Sequence, residues 1–129
     1  MDTDLPRKRA VADIVFAYRQ ILGEPGRPRS LRDFAADLTN AISPLNGNIS
    51  HQTIKNWEDR SNLPHRNLLR QLQVVGRGWV RDFATDMLSA IDPERYDPVT
   101  EIGRRARQRS LEETGPFKPR YDKRYISGN

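Results

Sequence analysis

The sequence has no cysteine and only two histidines, His51 and His65. Without thiols there are no disulfides, no cysteine nucleophile and no zinc finger, and two histidines leave a metal centre or a histidine-based triad almost nothing to build on. Nowhere in the 129 residues does an apolar run approach the ~18 residues of a membrane span. The first nine residues, Met1 to Arg9, lack the apolar stretch and small-residue cleavage site of a secretory signal, so the expected compartment is the cytoplasm. Strict period-2 alternation is missing and there is no internal repeat, which argues against a sheet. Neither a glycine-rich phosphate loop nor a catalytic constellation is found. The expectation is a protein that is not an enzyme and needs no cofactor or metal.

What the chain does have is charge, unevenly placed. It carries 22 Lys+Arg against 17 Asp+Glu, a formal net charge of +5, with 14 basic and 13 acidic residues before position 99 and 8 against 4 from there on. Four of the five excess charges therefore sit in the last quarter. A neutral body with an arginine-rich extension suits an anionic partner such as nucleic acid, or an acidic groove on another protein. The length corresponds to one domain, or one domain and a tail.

Helical periodicity is clear in three places. Val11, Ile14, Val15, Tyr18, Ile21 and Leu22 fall on one arc of a first helix that Gly23-Glu-Pro-Gly26 stops. Leu31, Phe34, Ala35, Leu38, Ala41 and Ile42 form the stripe of a second, opened by Ser30 with Asp33 three residues on. The run Ser43-Pro-Leu-Asn-Gly-Asn48 then breaks the pattern, because proline cannot continue a helix and Asn-Gly favours a turn. From Gly78 to Ile91 an apolar face about half a turn wide, built on Val80, Ala84, Leu88 and Ile91 with Trp79, Phe83 and Met87, opposes Arg81, Asp82, Thr85, Asp86 and Ser89. It closes the core against the first helix, and Trp79, Phe83 and Met87 are also candidates for a two-fold dimer interface.

After the turn comes Ile49-Ser-His-Gln-Thr-Ile-Lys-Asn-Trp-Glu58. This segment resembles the recognition half of the phage-repressor type (Cro-like, XRE-like) helix-turn-helix, whose pattern of aliphatic residue, Ser/Thr cap, Ser/Thr-Ile and Trp-Glu is matched in register by Ile49, Ser50, Thr53, Ile54, Trp57 and Glu58. Leu31, Phe34, Ala35 and Leu38 match the preceding helix of the motif; Pro64 with Leu68, Leu69 and Leu72 matches the fourth helix. The resemblance covers residues 10–91 and departs at one place: Ala35 and Ile54 are 19 residues apart, so some nine residues are inserted before the recognition helix. It implies an all-α, five-helix lambda-repressor-like domain. Residues 1–9 would form a basic arm through Arg7-Lys8-Arg9, and residues 92–129 a basic C-terminal extension, partly helical or disordered.

The chemistry of the recognition segment can be read without the family. Ser50 can cap the helix by accepting from the amide of Gln52 or Thr53, leaving its N-terminus suited to a phosphate. With Ile54 and Trp57 inward, His51, Gln52, Lys55 and Asn56 point outward beside Asp59. Gln and Asn can pair with adenine N6/N7, and Lys donates to guanine O6/N7, in a major groove wide enough for a helix. These four are the expected base-reading residues. Ser50, Thr53 and the flanking Asn48, Arg60, Asn62 and Arg66 are the expected phosphate contacts. Asp59 would be repelled by phosphate unless it accepts from a cytosine amine or turns away. Glu58 is expected to brace Arg32 or Arg60 rather than to catalyse, and His65 to face solvent.

Asp97-Pro98 can start a helix to about Glu113, with Val99, Ile102 and Ala106 as a thin apolar stripe among Arg104, Arg105, Arg107 and Arg109. Beyond Gly115-Pro116, Phe117, Tyr121 and Tyr125 alternate with Lys118, Arg120, Lys123 and Arg124, a pattern that meets bases, phosphates or an acidic protein groove. Two functions follow as expectations. One is sequence-specific binding of double-stranded DNA by a bacterial or phage transcriptional regulator. The other is a protein-interaction module, an antitoxin or assembly factor, that uses the fifth helix and the tail.

Overall fold

The computed structural model describes residues 4–42 and 48–112. They form six helices and no strand: α1 (Leu5–Leu22), α2 (Leu31–Ile42), α3 (His51–Glu58), α4 (Arg66–Val75), α5 (Trp79–Ile91) and α6 (Glu101–Glu112). The all-α expectation holds: five helices lie within residues 5–91, and the sixth is the helix expected to begin near Asp97-Pro98. Most of the 43–48 turn and the aromatic-basic segment beyond Gly115 lie outside the described residues.

Helix α1 starts earlier than its apolar stripe because Pro6, with its φ already helical, occupies the first turn. The run Arg7-Lys8-Arg9 is therefore inside α1 instead of forming an arm ahead of it. At the other end the Gly23 amide donates to Arg19 O at 3.1 Å, and Glu24 and Arg27 exchange backbone hydrogen bonds at 2.9 and 2.8 Å. A Cβ on Gly23 would stand 2.2 Å from Arg27 O, so this tight reversal requires glycine. Ser30 opens α2 as its spacing predicts, its Oγ accepting from the Asp33 amide at 3.0 Å.

The core draws on every helix: Val11, Ile14, Val15 and Tyr18 from α1, Phe34, Leu38 and Ile42 from α2, Ile54 and Trp57 from α3, and Leu69 and Leu72 from α4. Helix α5 adds Val80, Phe83, Ala84, Met87 and Leu88, and α6 adds Ala106. Each fully buried large side chain removes enough apolar surface from water to contribute about 1.5–3 kcal/mol. At the centre Phe83 meets Tyr18 and Phe34 edge-on with centroids 5.2 and 5.3 Å apart, and Trp79 stacks on Phe34 at 5.6 Å. This corrects the expectation that Trp79, Phe83 and Met87 face a second copy. Phe83 and Met87 are fully buried, and Trp79 is half-buried against the core, so two of the three have no exposed surface to offer a second copy.

A second correction concerns the polar side of α5, where Asp86 and Ser89 are buried. The cause is α6, which packs on α1 and α5. Asp86 accepts four hydrogen bonds: Tyr18 Oη on Oδ2 at 2.8 Å, the Val99 and Thr100 amides on Oδ1 at 2.8 and 3.2 Å, and Thr100 Oγ1 on Oδ2 at 2.5 Å. A carboxylate from one helix thus caps the entry to another, where orphan amides and the helix dipole favour negative charge. Gly103 makes the approach possible, since a Cβ there would fall 2.4 Å from Asp86 Oδ1. Burial, reinforced by the neighbouring Asp86 carboxylate, pushes the Tyr18 phenol well above its ordinary pKa and keeps it a donor, against a smaller opposing effect of the Thr100 hydrogen bond. Ser110 anchors the far end by donating from its hydroxyl to Pro6 O at 2.5 Å, so α6 runs antiparallel to α1.

Candidate nucleic-acid interface

Helix α3 spans only eight residues, too few to persist in water without tertiary support. Support comes first from inside, where Ile54 and Trp57 are buried in the core. It comes next from both ends. Ahead of the helix, Thr39 of α2 grips the backbone of Ile49: its Oγ1 accepts from the Ile49 amide at 2.9 Å and donates to the Ile49 carbonyl at 3.2 Å. Ser50 then caps α3, its Oγ accepting from the Thr53 amide at 3.2 Å. At the last turn Glu58 is buried and receives Arg19 Nη1 at 2.5 Å, while Arg19 Nε donates to Arg29 O at 2.7 Å. Arg19 therefore joins α1, the chain entering α2 and the end of α3. Glu58 braces an arginine as expected, and the guanidinium at 2.5 Å is that of Arg19 on α1.

The exit from α3 is tight. Ser61 N donates to Asn56 O at 3.0 Å and Arg60 N to Trp57 O at 3.3 Å, the paired bonds of a Schellman ending, with Arg60 in the left-handed region at φ 64°. Glycine ordinarily fills that position, and an L side chain there costs about 1–2 kcal/mol. The Nε and Nη1 of Arg60 are buried.

What α3 presents outward is the stripe expected from its sequence. His51, Gln52 and Lys55 are exposed and Asn56 is half-buried. Gln52 Nε2 donates to Asn56 Oδ1 at 2.9 Å, so the two amides are oriented as a pair that keeps Gln52 Oε1 and the Asn56 amide hydrogens for other partners. Asp59 lies 3.9 Å from Lys55 Nζ, one turn back along the same face. Asn56 and Thr53 also form one wall of an open cleft of about 420 Å³ whose other wall is Asn62, Pro64 and His65.

Of the expected phosphate contacts, Asn48, Ser50, Asn62 and Arg66 are exposed and Thr53 is half-buried. Arg66 is paired with Asp92 at 2.9 Å. Arg60 is half-buried, with its Nε and Nη1 enclosed. Sequence reasoning missed Thr39 and Arg19, which hold the helix rather than line its face. Their partners lie 10 and 39 residues away along the chain, beyond any local pattern. No family model, curated protein or solved structure matches the chain.

No group of His, Asp and Glu able to hold a metal ion occurs among the described residues. No described helix is long and apolar enough to cross a membrane.

Proposed function

We propose that this chain is a sequence-specific double-stranded DNA-binding protein of the lambda-repressor-like helix-turn-helix kind, a bacterial or phage transcriptional regulator that reads the major groove with α3. One observation carries the reading. A helix too short to stand alone is anchored at its start by Thr39, at its end by Arg19 and beneath by Ile54 and Trp57, and its outward side presents His51, Gln52, Lys55 and Asn56. Such anchoring fixes the position and rotation of the helix, and base reading demands both, because a bidentate contact tolerates little displacement. The coupled Gln52–Asn56 amides fit adenine, and Lys55 fits guanine. Asn48, Ser50, Asn62 and Arg66 flank the stripe and supply the phosphate contacts that set register. The interaction-module reading loses support from α5, whose apolar face is occupied by the core.

The test is selection from a random duplex library with the full chain, at stated salt. A defined consensus supports base reading by α3. Enrichment without a consensus, with affinity that only falls as salt rises, would reduce the function to backbone binding.

A further inference from the structure

The open cleft of about 420 Å³ between α3 and the start of α4 has a size within the roughly 300–1,000 Å³ of small-molecule sites. The exit from α3 builds it. The chain folds back through Arg60 at φ 64° until Asn62 N donates to Asn56 O at 3.4 Å, so carboxamides six residues apart in sequence line one cleft. Pro64, which is buried, then fixes the backbone where the chain enters α4.

The lining says what kind of group fits. It holds no carboxylate, ammonium or guanidinium, and His65 is its only titratable side chain, so an ionic ligand finds little counter-charge. Its polar atoms come from Thr53, Asn56, Asn62 and His65, and each carboxamide offers a donor beside an acceptor. Trp57, Leu63, Pro64 and Leu68 supply the apolar part. A neutral, flat group with apolar faces and a donor and acceptor on its edge matches both. Nucleobases are such groups: a carboxamide pairs bidentately with adenine, and stacking on aromatic and apolar side chains holds a base outside its duplex. Asn56 belongs to the cleft and to the outward stripe at once, because Gln52 Nε2 donates to its Oδ1 at 2.9 Å while its amide hydrogens are left for another partner.

We propose that the α3/α4 cleft binds a nucleobase, adenine before the others, through the carboxamides of Asn56 and Asn62, and that Asn56 couples its occupancy to base reading by Gln52. The choice of a nucleobase over another neutral planar group rests on the DNA-binding reading, because the cleft adjoins the face assigned to bases. The base has two sources. One is a free nucleoside, which takes the Asn56 amide away from DNA and so acts as an effector. The other is a base of the bound duplex, turned out of its stack beside α3.

Adenosine titrated into the nitrogen-15-labelled full chain, followed by NMR, tests the first source. It should shift the side-chain amide signals of Asn56, Asn62 and Gln52 saturably, with a dissociation constant on the order of 0.1–1 mM. Asn62→Ala and His65→Ala, both at exposed positions, should each weaken it about three- to tenfold without lowering the melting temperature. The second source is tested by placing 2-aminopurine at each adenine of the selected duplex in turn. Its fluorescence rises when it leaves the stack, so the protein should brighten one position, and Asn62→Ala or His65→Ala should reduce the rise. Either signal, with its response to the variants, supports the proposal and names the source. The adenosine arm needs no DNA, so an empty cleft and a failed consensus are separate results. Three results would overturn the proposal: no saturable shift together with no brightening, shifts equally large with N-methylacetamide at the same concentration, or signals indifferent to both variants.

Discussion

Helices α3 and α6 are both short and polar on their outer sides, yet they are held in opposite ways. Under α3 lie two large apolar side chains, Ile54 and Trp57, and its polar anchors Thr39 and Arg19 act at its ends. Beneath α6 the buried residues among those described are small, Gly103, Ala106 and Ser110, and the attachment is a buried carboxylate from α5 that caps its entry. The comparison teaches that α3 rests mainly on apolar burial beneath it, with Thr39 and the Arg19–Glu58 pair fixing its ends. Helix α6 is latched at its entry by hydrogen bonds that converge on Asp86 and at its far end by the bond from Ser110 to Pro6 O. Failure of one should leave the other in place.

The largest expected effects separate the two. Trp57→Ala empties a core site and should cost about 3–5 kcal/mol. Asp86→Ala strands four donors and should cost about 3–4 kcal/mol, since each unsatisfied buried group costs about 1–3 kcal/mol and relaxation recovers part of the sum. Native-state hydrogen exchange distinguishes them: Asp86→Ala should deprotect amides 101–110 while those of α3 remain protected. Equal loss of protection in both helices would show that the two are one cooperative unit and would break the comparison.

A smaller effect sharpens it. The folded state keeps the Tyr18 phenol neutral by burial, so its pKa is raised in the folded chain relative to the unfolded one. Stability from this group is complete below the ordinary tyrosine pKa of about 10 and is lost as pH rises beyond it, because the unfolded chain then releases a proton that the folded chain retains. Denaturation titrations between about pH 8 and about pH 11 should show a decline that Tyr18→Phe reduces, with a loss of about 1–2 kcal/mol at neutral pH from removing the bond to Asp86. A decline of the same size in Tyr18→Phe would place its origin elsewhere.

Smaller still is the effect at the exit of α3. Arg60→Gly removes the left-handed strain and should raise stability by about 1 kcal/mol in thermal melts. With its Nε and Nη1 buried, Arg60 should contribute little to the salt dependence of DNA binding. Removal of residues 113–129, which leaves α6 intact, should by contrast lower the log-log salt slope by about 0.9 for each phosphate that the segment neutralises. A slope unchanged by truncation would show that this basic segment serves something other than DNA.

How much of this was legible in the sequence follows from what holds each part. The stripes of α1, α2 and α5 are local, so spacing located those helices and the Ser30 cap, while the resemblance carried by the Ser50-x-x-Thr-Ile-x-x-Trp run placed α3 and its outward row. Asp86 and Ser89 looked like a solvent face because α5 alone cannot reveal that α6 covers them. Helix α6 looked marginal because its packing residues are small and its cap lies 14 residues upstream of Thr100. Trp79, Phe83 and Met87 looked like surplus apolar area, and only the aromatic cluster with Tyr18 and Phe34 shows where that area goes. The positive φ of Arg60 and the burial of its Nε and Nη1 leave no local sequence signal, since the position is one that glycine ordinarily fills.

The central claim is that α3 reads bases through Gln52 and Asn56, and the most direct measurement is the ratio of affinity for a selected site to that for a scrambled one, in Gln52→Ala, Asn56→Ala and the double variant. Both side chains are outside the core and linked to each other at 2.9 Å, so the melting temperature should hold while the ratio falls. A good bidentate contact is worth about 1–3 kcal/mol, so the ratio should fall by roughly five- to hundred-fold. The double variant should lose less than the sum of the two, because they act as a pair. Variants that keep both their stability and the full ratio would contradict base reading by α3.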